Sequence, residues 1–149
     1  MATEAGKFLK SSYDKNDSYA KDIFLKYIKK RGHEIISTEE TYNHDIITMK
    51  NNKKFYFELE IKRNYPFETK ESFNFPTVSF LGRKKRLHNI KPFKYILICH
   101  ETDYAIGCNS KDIFLEKYKE NININRYQRK GNDNFYRVPK EKCLFFKIR

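Results

Sequence analysis

The segment Phe55–Lys62 constrains the fold more than any other part of the chain, because apolar and polar residues alternate along it. Successive side chains of a β-strand point to opposite faces of a sheet, so this alternation predicts a strand. We therefore expect one face to cover a core and the other to present charge. The apolar face carries Phe55, Phe57, Leu59 and Ile61, and the opposite face carries Tyr56, Glu58, Glu60 and Lys62.

The residues before this strand predict a helix and two further strands. Across Asp17–Arg31 apolar residues recur at helical spacing, and Gly32 follows where a helix commonly ends. The short segments His33–Ser37 and Asp45–Met49 are rich in β-branched residues and predict strands. Between them and the alternating strand, Lys50–Lys53 is typical of a tight hairpin turn.

The second half of the chain predicts further strands and short helices. Tyr95–Cys99 and Tyr104–Gly107 are typical of a hairpin, and Cys143–Ile148 of a closing strand. We also expect a loop leading into a helix within Pro76–Ile90, a helix capped by Ser110–Asp112 that ends near Tyr118, and a mobile basic loop at Glu120–Asn134. With 149 residues, no repeat and no linker, the chain is expected to form one α/β domain with a mixed central sheet flanked by helices.

Charge is the clearest compositional signal, since 31 Lys and Arg oppose 19 Asp and Glu and give a formal net charge of +12. Such an excess indicates a polyanionic partner. The chain has no apolar run that could span a membrane and no secretory signal, so we expect an intracellular protein in the cytoplasm of a bacterium, a phage-infected cell or another host. The aromatic candidates for base stacking are Tyr13, Tyr19, Tyr42, Tyr65 and Phe67.

Asp45 and Glu60 show the clearest chemical pattern. They fall on adjacent strands of the predicted hairpin, where two carboxylates can converge on one divalent cation. Lys62 lies two residues after Glu60 and so on the same strand face. Converging carboxylates repel each other unless a cation such as Mg²⁺ neutralises them. The three residues therefore indicate metal-assisted phosphodiester hydrolysis, with Lys62 orienting or deprotonating the attacking water.

This arrangement resembles the PD-(D/E)xK nuclease superfamily over residues 17–107. The matching residues are His44–Ile47, with His44 in place of the family's proline, and Glu60–Lys62. The resemblance implies a restriction-endonuclease-like or Holliday-junction-resolvase-like core. It also implies Mg²⁺, with Mn²⁺ as a substitute, bound by Asp45, Glu60 and the main-chain carbonyl of Ile61.

The same resemblance implies a further catalytic acid and a basic residue on a later helix. Asp22 on the first helix is the candidate acid, while Asp17, which is also typical of an N-cap, and Glu58 stay open as alternatives. The basic run suits phosphate contacts, a solvated face or a direct role in the active site. It consists of Arg83, Lys84, Lys85 and Arg86.

Other enzyme classes lack sequence support. The four histidines have no metal-ligand spacing, and the chain has no phosphate-binding glycine loop and no nucleophile elbow. Three widely spaced cysteines, Cys99, Cys108 and Cys143, are expected to be buried apolar groups.

The sequence therefore predicts a Mg²⁺-dependent endonuclease that acts on duplex or branched DNA, with a homodimer suited to symmetric cutting of two strands. One alternative is a non-catalytic nucleic-acid-binding module on the same fold. Another is a basic interaction protein whose cations serve solubility or an acidic partner. Glu58, Glu60 and Lys62 are then only the solvated face of an amphipathic edge strand.

Overall fold

The computed structural model describes residues 10–39, 44–122 and 133–149, which form three α-helices and nine strands. The helices are α1 (Lys10–Lys30), α2 (Lys85–Ile90) and α3 (Ser110–Ile113), with short 3₁₀ segments at Gly82–Lys84, Glu116–Tyr118 and Lys140–Lys142. The strands are β1 (Glu34–Ser37), β2 (Ile46–Lys50), β3 (Lys53–Lys62), β4 (Thr77–Leu81), β5 (Lys94–Cys99), β6 (Tyr104–Asn109), β7 (Lys119–Ile122), β8 (Asp133–Pro139) and β9 (Leu144–Lys147).

The central sheet of the described residues has six strands in the order β1-β2-β3-β5-β6-β9. The pairs β1/β2, β2/β3, β5/β6 and β6/β9 are antiparallel, whereas β3 and β5 run parallel. A parallel pair needs a crossover, and the segment from Arg63 to Phe93, which includes β4 and α2, supplies it. The predicted mixed α/β sheet within a single domain is thus confirmed.

A type I′-like turn joins β2 to β3. Asn51 and Asn52 have φ angles of 53° and 62°, and Lys50 pairs with Lys53 at the end of the ladder. Asparagine tolerates this left-handed backbone better than most residues, and the twist of such a turn suits a two-residue hairpin. The hairpin turn predicted from the sequence is therefore confirmed, and it sets the register that places Ile46 opposite Phe57.

Helix α1 packs on one face of the central sheet. Phe24 is 1% exposed, and its ring centroid lies 4.7 Å from that of Phe57 on β3. The helix ends at Gly32, whose φ of 87° suits glycine, while His33 N–H donates to the carbonyl of Ile28 at 3.2 Å. This is the Schellman arrangement that closes many helices. The apolar face of β3 is thereby buried against α1, as its alternation predicts.

The opposite face of the central sheet is covered by a second sheet and by α2. Among the described residues this second sheet has the order β4-β8-β7. Its buried residues Phe80 and Tyr136 join Tyr95 and Leu97 of β5 and Leu87 of α2 in one apolar cluster. The sequence predicts only a helix on this face, so the second sheet is an addition to the expected architecture.

Several predicted boundaries are wrong. The first helix begins at Lys10 rather than Asp17, and the segment predicted as a loop before α2 contains strand β4. Helix α3 stops at Ile113 instead of continuing to Tyr118. The predicted mobile loop includes residues of β7 and β8 at its two ends, and its residues 123–132 lie outside the described ranges.

The other predictions for the second half agree with the structure. Strands β5 and β6 form the expected hairpin, β9 closes the sheet, and all three cysteines are free and buried. In the described part of the chain, no helix is long and apolar enough to cross a membrane.

Candidate functional site

The start of β2 and the middle of β3 are joined by two buried hydrogen bonds from carboxylates to backbone amides. Glu58 Oε2 accepts from Asp45 N–H at 3.0 Å, and Asp45 Oδ2 accepts from Leu59 N–H at 2.9 Å. Asp45 is 5% exposed and Glu58 is 1% exposed. Asp45 precedes Ile46, which pairs with Phe57, so Asp45 and Glu58 meet on the same sheet face.

Lys84 brings a positive charge to these buried acids. Its Nζ donates to Glu58 Oε1 at 2.7 Å, and its side chain is 21% exposed. Burial alone would lower the pKa of Lys84, but the carboxylates of Glu58, Asp45 and Glu60 outweigh burial and raise it. Lys84 therefore keeps its charge at neutral pH and compensates part of the acidic charge beside it.

Glu60 lies two residues further along β3 and has its own partners. Its Oε1 accepts from the hydroxyl of Tyr95 at 2.7 Å, and its Oε2 lies 3.0 Å from Lys62 Nζ. Tyr95 is fully buried, and burial, together with the charge of Glu60, raises the pKa of its hydroxyl well above 10. Tyr95 thus stays protonated and donates to Glu60, while Lys62, at 31% side-chain exposure, reaches solvent.

These side chains share one face of the sheet. In the parallel register Glu58 pairs with Tyr95 and Glu60 pairs with Leu97, and both partners belong to the apolar cluster opposite α1. We call this set of side chains the carboxylate cluster: Asp45, Glu58 and Glu60, with their ammonium partners Lys62 and Lys84. The carboxylate cluster thus contains three carboxylates and two ammonium groups.

The carboxylate cluster has oxygen donors of the kind that a hard divalent cation prefers. Among the described residues no group of three or more His, Cys, Asp or Glu side chains is arranged to hold a metal ion. Mg²⁺, however, is commonly bound by one or two carboxylates with water as the remaining ligands. The carboxylate oxygens of Asp45 and Glu60 are donors of this kind, and the carbonyl of Ile61, between Glu60 and Lys62, is a further oxygen donor.

His44, at the position of the family's proline, is a buried structural residue. It is 1% exposed, its Nε2 lies 3.0 Å from the carbonyl oxygen of Lys91, and its ring contacts Tyr56 and Phe93. These contacts tie the residue before Asp45 to the end of the crossover. His44 therefore fixes the direction in which the chain enters β2.

The acid that the resemblance assigns to the first helix is not at the carboxylate cluster. Asp22 is exposed on α1, and α1 packs on the sheet face opposite Glu58 and Glu60. The N-cap interpretation of Asp17 is wrong, because α1 begins at Lys10 and continues through Asp17. The side chain of Asp17 lies outside the described residues. Of the three acids left open, the structure brings Glu58 to Asp45.

The predicted basic run divides between two environments. Arg83 and Arg86 are exposed, Lys85 is half-buried, and Lys84 is directed at Glu58. The run therefore does not form one outward row of cations. Arg83 and Arg86 are accessible to a phosphate backbone, whereas Lys84 belongs to the carboxylate cluster.

Sequence reasoning missed the roles of Tyr95 and Lys84 as direct partners of the two β3 glutamates. Tyr95 opens an apolar run, which predicts only a core residue, and nothing in its surroundings marks a hydrogen bond to Glu60. For Lys84 the sequence left a direct role in the active site open, as one of the alternatives for the basic run. Its position among four consecutive cations does not indicate which of them contacts Glu58.

Comparisons of the chain with protein-family models, with curated proteins and with solved structures gave no match.

Proposed function

We propose that this protein is a Mg²⁺-dependent nuclease that hydrolyses phosphodiester bonds of DNA. The observation that carries the proposal is the meeting of Asp45 and Glu58 across β2 and β3, with Glu60, Lys62 and Lys84 on the same face. Buried carboxylates that face one another are unfavourable unless cations accompany them. The chain keeps two such groups, Asp45 and Glu58, with the partly exposed Glu60 beside them, as expected of a site that takes up a cation.

Each residue of the cluster has a role in this proposal. Asp45 and Glu60, with the carbonyl of Ile61, would hold Mg²⁺, which supplies Lewis-acid activation of the phosphate and of a water molecule. Lys62 is the more exposed of the two cations of the site, at 31% against 21% for Lys84, and its ammonium would orient the attacking water. Lys84 is held by Glu58 and stabilises negative charge within the site.

The alternative of a non-catalytic DNA-binding module rests on a specific observation. Both oxygens of Glu58 and both oxygens of Glu60 already have partners within the protein. Internal ammonium groups could therefore serve in place of a metal, leaving the +12 charge to bind a polyanion without cutting it.

Cleavage assays on linear duplex, single-stranded and branched DNA with Mg²⁺, Mn²⁺ or EDTA test the proposal. We expect metal-dependent cleavage that Asp45→Asn and Glu60→Gln each reduce at least a hundredfold, because both substitutions keep the side-chain shape and remove a charge. Glu116→Gln, at an exposed carboxylate on another element, is the charge-matched control and should leave the rate unchanged.

Circular dichroism should show a native fold for all three variants. DNA binding without cleavage under any metal condition would favour the non-catalytic module. Cleavage by Glu60→Gln at the wild-type rate would remove Glu60 from the catalytic machinery.

A further inference from the structure

An open groove adjoins the carboxylate cluster, with Lys62 as a lining residue that the two share. Its volume is about 370 Å³, within the range of roughly 300–1,000 Å³ that small-molecule sites usually have. It lies between the end of β3, the crossover and the second sheet. Its lining includes Tyr65, Phe73, Phe75 and the cations Lys62, Arg63 and Arg137.

Aromatic rings form one side of this groove and are open to solvent. Tyr65 is 45% exposed and Phe75 is 43% exposed, and their ring centroids lie 5.2 Å apart. Phe73 supports Phe75 at 5.8 Å and is itself supported by Phe145 at 5.2 Å. Two exposed rings supported by these two half-buried rings form a surface on which a planar ring can stack.

The cations of the groove are placed to meet a phosphate backbone. Lys62 is shared with the carboxylate cluster, and Arg137 lies on β8. Arg137 Nε lies 2.7 Å from Glu120 Oε2, but both side chains are about half exposed. An exposed ion pair of this kind contributes little stability, so a phosphate can replace Glu120 as the partner of Arg137 at little cost.

We propose that this groove binds an unpaired base of single-stranded DNA next to the site of cleavage. The proposal rests on the proposed function, since it places the substrate strand beside Lys62. A nucleobase within a continuous duplex is already stacked on both faces, so open rings recognise bases that are unpaired. The excess positive charge of the chain and the cations in the groove favour a nucleic acid over an uncharged partner.

Five aromatic residues were candidates for base stacking from the sequence, and the structure places those that it describes in different environments. Tyr65 lies in the groove and is exposed, whereas Phe67 is 6% exposed and belongs to the core. Tyr19 contacts His100 and Arg149 on another part of the surface. Tyr42 and the side chain of Tyr13 lie outside the described residues.

Binding measured in EDTA tests the groove without requiring catalysis. Fluorescence anisotropy with labelled oligothymidylate, and with the same strand in a duplex, gives the two dissociation constants. Tyr65→Leu and Phe75→Leu should each weaken binding of the single strand about fivefold or more, because a base loses its stacking partner. Tyr65→Phe keeps the ring and should bind as wild type does.

The matched control is Tyr118→Leu, which removes a half-buried tyrosine outside the groove. Unchanged single-strand binding by both groove variants, or an equal loss of duplex binding, overturns the groove proposal. If wild type binds the single strand through these residues but never cleaves DNA with Mg²⁺, the groove stands and the nuclease proposal fails. If wild type cleaves DNA while both groove variants bind normally, only the groove proposal fails.

Discussion

Replacing Lys84 by Met tests whether the carboxylate cluster depends on its internal cation. The Glu58 side chain is 2% exposed and accepts one of its hydrogen bonds from Lys84, so the substitution leaves a buried carboxylate with Asp45 N–H as its remaining partner. Loss of one partner from a buried ion pair costs about 3–5 kcal/mol. Because the Lys84 side chain is 21% exposed, water can compensate in part, and we expect a loss of about 2–4 kcal/mol.

Urea denaturation followed by circular dichroism measures this loss directly. The melting temperature should fall by about 5–15 °C for a domain of this size. Lys85→Met is the control, since the neighbouring ammonium makes no ion pair with any residue that the structure describes. The double variant Lys84→Met/Glu58→Gln should recover at least about 1 kcal/mol relative to Lys84→Met, because the buried charge is removed with its partner. If Lys84→Met and Lys85→Met lose the same stability, the coupling between Lys84 and Glu58 is refuted.

Four further predictions follow from individual contacts. Tyr95→Phe removes a buried hydroxyl that donates to Glu60 at 2.7 Å, and it should lower the free energy of unfolding by about 1–2 kcal/mol in urea denaturation. An unchanged urea midpoint would contradict that hydrogen bond. Gly82→Ala should cost about 1–3 kcal/mol in the same assay, because a Cβ there would lie 2.5 Å from the carbonyl oxygen of Asn134. Arg83→Ala should reduce the salt dependence of DNA binding by up to about one unit of the log–log slope, and an unaltered slope would place this exposed arginine away from the DNA. Burial, followed by the neighbouring cations, lowers the pKa of His33 below 6.5. The unfolded chain therefore binds a proton at this residue more tightly than the folded protein, so stability should decline as the pH falls below 6.5. His33→Gln should flatten that decline when the free energy of unfolding is measured between pH 7.5 and 5.

The central sheet was largely predictable because its strands and turns depend on local signals. The alternation of β3 and the two asparagines after β2 are short-range features, and the strand and the turn that they predict are both present in the structure. Strand β4 was not predictable in the same way, since it pairs with β8 about sixty residues later and precedes Gly82. Gly82 marks a close approach of the backbone to Asn134, and no local pattern reveals that approach.

The candidate site was predictable in its acids but not in their partners. The two-residue period of β3 places Glu58 and Glu60 on one face, and hairpin geometry brings Asp45 beside that face. Periodicity predicts that the polar face of a strand is solvated, but Glu58 is buried. The covering residues come from the crossover and the second sheet, and a pairing such as Glu58 with Lys84 depends on contacts between distant segments.

The parallel pairing of β3 with β5 links the charges of the site to the order in which the chain folds. The acids lie on a hairpin whose loop is short, so its closure entropy is small and it can form early. Lys84 lies within the long crossover, which must return to the sheet before β5 can pair with β3. Until it returns, Glu58 lacks Lys84 as a partner, so we expect this ion pair to form only together with the pairing of β3 and β5.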